Sequence, residues 1–188
     1  MEGPRHGTSR EDRLWIGLPN GNDAQLSPTA GAVPAGYPGG VDVEIRDAGE
    51  RDAEVLAPLI EQLMHKPQTP EQICIRLRRL AGTGVDKVLV IVVGGRVVGV
   101  AGVTYSWLLH ADAPTARLMS IVVDEGCRGR GIGRQLVEAS VEQARNWGCD
   151  RIELTSRLER AAAHSFYEAV GFEHTSKRFS MPVELRPV

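Results

Sequence analysis

The sequence predicts an α/β fold (an α+β mixed sheet), in which helices cover both faces of a single mixed β-sheet. Two β-branched runs, Lys87–Val93 and Arg96–Tyr105, are joined by two glycines, as is typical of an antiparallel hairpin. The apolar run Leu118–Val123 and the predicted strand Arg151–Thr155 flank a helical pattern, which is typical of a parallel β-α-β crossover. Because one sheet has to hold both an antiparallel and a parallel pair of strands, we predict a mixed sheet.

The chain divides near residue 40 into a predicted tail and one predicted domain. Residues 1–40 alternate prolines with glycines and contain few apolar side chains. Burial cannot offset the entropy of ordering such a segment, so we predict a mobile tail. Its one apolar cluster, Leu14–Ile16, could dock on the domain or on a partner, or be inert. Residues 41–188 are long enough to form one domain with a buried core.

The first half of the domain is predicted to contain a strand and two helices. Val41–Ile45 alternates as a half-buried strand does. Apolar residues at helical spacing from Val55 to Met64 predict a helix, which Pro58 is expected to kink or split. Thr69-Pro70 is typical of an N-cap followed by proline at the first helical position, and it predicts a second helix that ends near Leu80.

The second half continues through the hairpin and the crossover. Apolar residues recur at helical spacing from Leu136 to Trp147 and predict the crossover helix. A helix at Arg160–Val170 and a last strand at Phe172–Met181 complete the domain. The predicted order of elements is therefore β-α-α-β-β-β-α-β-α-β.

Composition and charge argue against several kinds of partner. A formal net charge of −2 over 188 residues gives no global attraction to nucleic acid or to an anionic membrane, so neither is expected as a partner. No apolar run approaches the roughly 20 residues that a membrane helix needs. Cys74, Cys127 and Cys149 are odd in number and lack metal-ligand spacing. We therefore expect reduced thiols, no metal site and a cytoplasmic location.

The stretch Arg128–Arg134, between the predicted strand and the crossover helix, is rich in glycine and arginine. Glycines let a backbone approach a ligand closely, and free N–H groups at the start of a helix attract an anion, above all a phosphate. The dinucleotide fingerprint does not match, because it needs a glycine where Arg134 stands. The P-loop motif does not match either, because its last glycine must be followed by Lys and Ser/Thr, whereas Ile132 and Gly133 follow here. The pattern that fits is Arg-x-x-Gly-x-Gly, formed by Arg128, Gly131 and Gly133.

This pattern resembles the signature with which the GNAT superfamily of N-acetyltransferases binds the pyrophosphate of acetyl-CoA. A second family element, Ala-x-x-Phe/Leu-Tyr-x-x-x-Gly-Phe, is similar to Ala163–Phe172. The resemblance covers about Val41 to Val183 and implies a GNAT-like sheet with acetyl-CoA as cosubstrate. It implies that the pantetheine arm pairs with the backbone of Ile121, Val122 and Val123. It also implies a set of residues that hold or surround the pyrophosphate: Arg128, Gly129, Arg130, Gly131, Ile132, Gly133 and Arg134.

Three further roles follow from the resemblance. Arg160 stands where relatives often carry an asparagine that contacts the cofactor. Its side chain could reach a phosphate, or it could be a solvated residue in the first turn of the helix; both alternatives stay open. Tyr167 is implied to lie near the thioester sulfur. A phenol of pKa about 10 can protonate a leaving thiolate of pKa about 8.5, so Tyr167 is the predicted catalytic acid. A backbone N–H where the Leu118–Val123 strand bends is implied to stabilise the oxyanion.

The general base is where this sequence departs from the family. Met119, Ser120 and Thr155 occupy the positions at which relatives carry an acidic residue, and none of them can usefully accept a proton. A chain of water molecules, or an amine whose pKa is already low, would remove the need for a base. Other candidate bases are His164, His110, Asp112 and Glu153.

These features predict an N-acetyltransferase that moves an acetyl group from acetyl-CoA to a primary amine by direct attack. The acceptor is expected to be a small molecule or a peptide amine. The alternative is a non-catalytic regulatory module that binds acetyl-CoA, which the vacant base positions motivate and the presence of Tyr167 argues against. Homodimers are common in the superfamily, so a homodimer is possible by analogy.

Overall fold

The computed structural model describes residues 29–30 and 42–183, and these form one mixed β-sheet. The sheet contains six strands in the order in which they occur along the chain. All neighbouring strands are antiparallel except the last pair, which is parallel. The predicted mixed sheet is therefore confirmed. The strands are β1 (Thr29–Ala30), β2 (Val43–Asp47), β3 (Asp86–Val93), β4 (Arg96–Ser106), β5 (Thr115–Val123) and β6 (Arg151–Leu154).

Four α-helices within the described residues cover the sheet on both faces, as the sequence predicted: α1 (Ala53–Met64), α2 (Pro70–Ala81), α3 (Ile132–Asn146) and α4 (Ala161–Ala169). Helices α1 and α2 pack on one face, where Leu56 and Leu77 meet Val90 of β3. Helix α3 packs on the other face, where Leu136 meets Leu89, and α4 adds partly buried side chains to that side. Residues 89–93 of β3 are buried throughout because helices cover both faces, which explains their continuous apolar run.

The local signals around the first two helices act as expected, with one exception. Thr69 caps α2 through a reciprocal pair: the Gln72 N–H donates to Thr69 Oγ1 at 3.2 Å, and the Thr69 N–H donates to Gln72 Oε1 at 3.2 Å. Pro58, however, does not split α1, which is one continuous helix of 12 residues. The carbonyl that loses its helical partner belongs to Glu54, an exposed residue, so water can satisfy it.

Two differences from the predicted order lie at the ends of the chain. No strand is present at residues 172–183, so the predicted last strand Phe172–Met181 is wrong. Six polar residues, 173–178, separate Phe172 from Phe179, and a strand without an apolar face has nothing to hold it on the sheet. Strand β1 was not predicted; Thr29 pairs with Ile45 of β2. The rest of the predicted tail at 1–40, including Leu14–Ile16, lies outside the described residues.

The thiols are unpaired, since Cys74, Cys127 and Cys149 are all free. Within the described residues, no helix combines the length and the apolar character needed to cross a bilayer.

A buried ion pair fixes the start of α1 against the sheet. Asp52, which is 5% exposed, accepts hydrogen bonds from both terminal nitrogens of Arg46 at 2.8 Å. It also accepts one from the Gly49 N–H at 2.8 Å. The hydrogen bond from Arg46 is the main reason that the pKa of Asp52 lies below its ordinary value, and the Gly49 N–H adds to the effect. The folded state therefore prefers the charged carboxylate.

We expect Asp52→Asn to lower the free energy of unfolding by about 3 kcal/mol at neutral pH, because Arg46 then keeps a half-buried charge without its partner. The pKa of Asp52 is lowered on folding, so this contribution is present above the unfolded pKa of about 3.9 and is lost as the pH falls through the folded value. Urea unfolding from neutral to acidic pH measures it. Asp150→Asn, in an exposed pair with Arg151, is the control and should leave the free energy of unfolding nearly unchanged.

Candidate active site

The stretch Arg128–Arg134, called the glycine loop from here on, lies where the chain passes from β5 to α3. It leaves the first turn of α3 without a side-chain cap. Gly129 and Gly131 have φ angles of 74° and 79°, a left-handed conformation that favours glycine. Gly131 is the N-cap of α3 and, lacking a side chain, makes no capping hydrogen bond. The first N–H groups of α3 have no intrahelical acceptor, so they are available to an anion at the positive end of the helix dipole.

Gln62 of α1 anchors this loop, a role that the sequence gave no signal to detect. Its side-chain oxygen accepts from the Glu125 N–H at 3.1 Å and from Arg128 Nη2 at 3.3 Å. Arg128 Nε also donates to the carbonyl oxygen of Val123 at 3.0 Å. The Arg128 side chain therefore holds the loop to the end of β5 and to α1. The Val123 carbonyl, predicted to pair with the pantetheine arm, already has this one donor.

The edge of β5 is open next to the loop. The parallel register between β5 and β6 covers only Thr115–Leu118 against Arg151–Leu154. Among the described residues, no strand pairs with Met119–Val123 on that side. The strands β5 and β6 therefore part after Leu118, and the backbone from Ile121 to Val123 faces the gap.

A β-bulge marks the point where the open edge begins. Val103 of β4 pairs with Leu118 and Gly102 pairs with Ser120, so Met119 is the extra residue on β5. The resemblance implied a backbone N–H for the oxyanion where this strand bends, and a bulge bends a strand. The Met119 side chain is 62% exposed, so it extends away from the packed core.

Tyr167 lies on α4 in an aromatic setting. Its ring centroid is 5.4 Å from that of Phe166 and 5.9 Å from that of Phe172. Burial raises the pKa of the Tyr167 phenol above its ordinary value, against an opposing effect of the Arg160 charge. The phenol is therefore protonated at neutral pH, which is the form that a general acid requires.

The fold brings the two sequence motifs into direct contact. A Cβ atom added at Gly133 would lie 3.1 Å from the Phe166 ring, so glycine lets α4 approach the first turn of α3. Arg134 Nη2 donates to the carbonyl oxygen of Ala169 at 2.9 Å, at the carboxyl end of α4. The helix that carries Tyr167 is thus tied to the glycine loop. Sequence reasoning assigned Gly133 and Arg134 to phosphate and did not anticipate these packing roles.

Arg160 has a partner that neither sequence alternative named. Its Nη2 atom donates to the carbonyl oxygen of Leu63 at 3.3 Å, near the end of α1. It thereby satisfies one of the carbonyls that a helix leaves unpaired at its end. The side chains of Arg128, Arg134 and Arg160 therefore each donate to a protein group.

The candidate bases have other partners or lie in an exposed loop. His164 Nε2 is 2.9 Å from the carbonyl oxygen of Arg157; a carbonyl can only accept, so this nitrogen carries the proton. Glu153 pairs with Arg117 at 3.2 Å, and the hydroxyl of Thr155 accepts from Arg178 at 3.0 Å. His110 and Asp112 are exposed in the loop between β4 and β5. This geometry singles out no general base.

A cavity of about 240 Å³ lies between the sheet and the helices α1 and α2. Met119 and Ser120 form part of its wall, so the cavity reaches the bulge where the open edge of β5 begins. The sequence pattern did not predict this space. Part of it exists because Gly102 has no side chain; a Cβ atom there would lie 2.9 Å from Ser120 Oγ.

Comparison with known proteins assigns the family. The sequence profile of the acetyltransferase (GNAT) family matches residues 57–172, which is more than half of the chain. The chain belongs to the GNAT family. The match includes the bulge, the glycine loop and the helix of Tyr167. It supports the prediction of an acetyl-CoA-dependent acyltransferase.

Curated relatives and solved structures agree with this assignment. The chain is 41% identical over 66 residues to the mycothiol acetyltransferase of Beutenbergia cavernae, covering 35% of this chain and 22% of the relative. It is 33% identical over 86 residues to the aminoalkylphosphonate N-acetyltransferase of Salmonella typhimurium, covering 46% and 56%. The chain thus matches between about a fifth and just over half of these relatives. An aminoglycoside N-acetyltransferase solved with CoA shares the fold, with a TM-score of 0.69 and 20% identity over 79% of this chain and 99% of that one.

Proposed function

We propose that this GNAT protein transfers the acetyl group of acetyl-CoA to a primary amine by direct attack. The observation that carries the proposal is the open edge of β5, which begins at the Met119 bulge and runs to the uncapped glycine loop. One continuous path thus offers strand-like backbone for an amide-containing arm and N–H groups for a pyrophosphate.

Each part of acetyl-CoA has a proposed partner along this path. Ile121, Val122 and Val123 pair with the pantetheine amides as an added strand would. The N–H groups from Gly129 to Arg134 hold the pyrophosphate, with Arg128, Arg130 and Arg160 nearby. A backbone N–H at the bulge stabilises the oxygen of the thioester carbonyl as it gains charge.

The proposed reaction forms an amide and releases CoA. The lone pair of the neutral amine attacks the thioester carbonyl carbon, and the carbon–sulfur bond breaks as the tetrahedral intermediate collapses. Tyr167 donates its phenolic proton to the departing sulfur. The proton lost by the amine nitrogen later restores the phenol through solvent. The raised pKa of Tyr167 supports this role, since it keeps the acid protonated at neutral pH.

Removing the proton from the amine is the costly step for which no side chain stands out. At neutral pH, deprotonating an alkyl ammonium of pKa about 10.4 costs about 4.6 kcal/mol. The described candidate bases are engaged elsewhere or exposed. We propose that water accepts the proton and that an apolar environment at the acceptor site lowers the pKa of the amine.

Amine-dependent release of CoA tests the proposed function. Purified protein is incubated with acetyl-CoA and a panel of primary amines, while free thiol is followed optically and products by mass spectrometry. We expect at least one amine to accelerate thiol release above hydrolysis and to gain one acetyl group. If acetyl-CoA raises the melting temperature but no amine releases CoA, the protein is a non-catalytic acetyl-CoA-binding module instead.

A further inference from the structure

The cavity beside the bulge has an almost entirely apolar wall. Its aliphatic side chains come from both helices and from β4, and the largest are Leu56, Ile60, Leu63, Leu77 and Leu80. Such a surface favours an apolar group and gives little compensation to a polar one.

The charged side chains of the cavity wall are few, and together with their partners they carry no net negative charge. Among the described residues, Asp86 is the one acidic side chain in the wall, beside Arg76 and Lys87. Lys87 is paired with Asp47 at 2.6 Å, and Arg76 donates to Gln68 at 2.6 Å. With Asp47 counted, two carboxylates accompany the two cations, so a ligand with several ammonium groups would find no net negative charge here.

The cavity is continuous with the proposed site of acetyl transfer. Met119 and Ser120 line it, and the same residues form the bulge at the start of the open edge. A molecule that fills the cavity can therefore present one end to the thioester. The volume of about 240 Å³ is below the roughly 300–1,000 Å³ that is typical of ligand pockets, so we expect a small occupant.

We propose that the acceptor is a small primary amine with an apolar aryl or branched alkyl body and no second ammonium group. This inference rests on the proposed acetyl transfer and names the substrate class of that site. The apolar body fills the space between α1, α2 and β4, and the amine lies at the bulge. An amine held against this wall loses part of its hydration, which favours the neutral, nucleophilic form. The cavity thereby contributes to the step for which no side-chain base stands out.

The inference separates this chain from an enzyme of the same fold. The structurally similar aminoglycoside N-acetyltransferase is named for a polycationic acceptor. Because the charged groups at the cavity wall carry no net negative charge, we expect such a polycation to be a poor acceptor here.

The test compares acceptors and places one charge in the cavity wall. The acceptors are phenethylamine and isoamylamine, spermidine, an aminoglycoside, and a short peptide with a free N-terminus. We expect kcat/KM for the two apolar amines to exceed that for the others by at least about tenfold.

Leu80→Asp, in the wall, should lower kcat/KM for phenethylamine by at least about tenfold, while Ile75→Asp on the outer surface of the same helix changes it by less than about twofold.

The affinity for acetyl-CoA, measured by calorimetry, should be the same in the parent protein, Leu80→Asp and Ile75→Asp. Should Leu80→Asp fail to fold, Met64→Asp takes its place, because Met64 lines the cavity and is 52% exposed. A preference for spermidine, the aminoglycoside or the peptide would overturn the inference and leave the proposed acetyl transfer intact. Equal effects of Leu80→Asp and Ile75→Asp on kcat/KM would do the same. Acetyl-CoA binding without acetylation of any amine would instead overturn the proposed function and, with it, this inference.

Discussion

Replacing Gly131 with valine is expected to raise the dissociation constant for acetyl-CoA at least about 100-fold, equivalent to about 2.7 kcal/mol of binding free energy. Gly131 has a φ of 79° at the N-cap of α3, a conformation that a β-branched residue adopts only with strain. The valine side chain would also occupy the space that a phosphate needs beside the N–H groups of Ile132 and Gly133. Calorimetric titration of acetyl-CoA into the variant measures the loss.

Gly148→Val separates the loss of binding from a loss of stability. Gly148 follows the other end of α3, has a φ of 72°, and would meet nothing within 4 Å if it carried a Cβ atom. The same substitution there brings comparable backbone strain but lies away from the proposed pyrophosphate site. We expect its acetyl-CoA affinity to stay within about twofold of the parent protein. Equal affinities in the parent, Gly131→Val and Gly148→Val proteins would show that the loop does not bind the cosubstrate.

The second large effect concerns Tyr167, whose replacement by phenylalanine should lower kcat by about 100-fold. The change removes only the hydroxyl, so the ring contacts with Phe166 and Phe172 are retained. Acetyl-CoA affinity should hardly change, because the lost proton transfer belongs to the breakdown of the intermediate. Steady-state kinetics with the best acceptor, together with calorimetric binding of acetyl-CoA, distinguish these two quantities.

Tyr105→Phe is the matched control for that experiment. Tyr105 lies on β4 and stacks on Trp147 at 4.9 Å, so its hydroxyl has no place in the proposed reaction. Burial raises the pKa of Tyr167, so in the parent protein any alkaline decrease of kcat caused by this phenol should occur above about pH 10. Unchanged kcat in Tyr167→Phe would remove this residue from the mechanism.

Local sequence signals were sufficient for most of the fold. The two glycines between the β3 and β4 runs indicated a hairpin, and Thr69-Pro70 indicated the start of α2; both are in place. The prediction of a last strand at Phe172–Met181 is wrong for an equally local reason. The apolar residues of 172–181 suggested a strand, but the six polar residues between Phe172 and Phe179 give it no face to bury.

For the candidate site, the sequence located the parts but not their contacts. It predicted an anion-binding loop at Arg128–Arg134 and a catalytic acid at Tyr167, and both stay predictions. It could not reveal that Gln62 anchors the loop, because an isolated glutamine on a helix has no distinctive pattern. It also could not show that Arg160 donates to Leu63, since these residues are 97 positions apart.

The sequence by itself determined the family, the order of most elements and the region that would hold acetyl-CoA. Glycines and apolar periodicity suffice there, because loops and helix starts are set by neighbouring residues. Only the tertiary structure decided where β5 leaves β6, which groups engage the loop arginines, and what lines the cavity. These features depend on contacts between distant segments: the bulge at Met119 arises from the register of β4 on β5, and the cavity arises where α1 and α2 lie over Gly102.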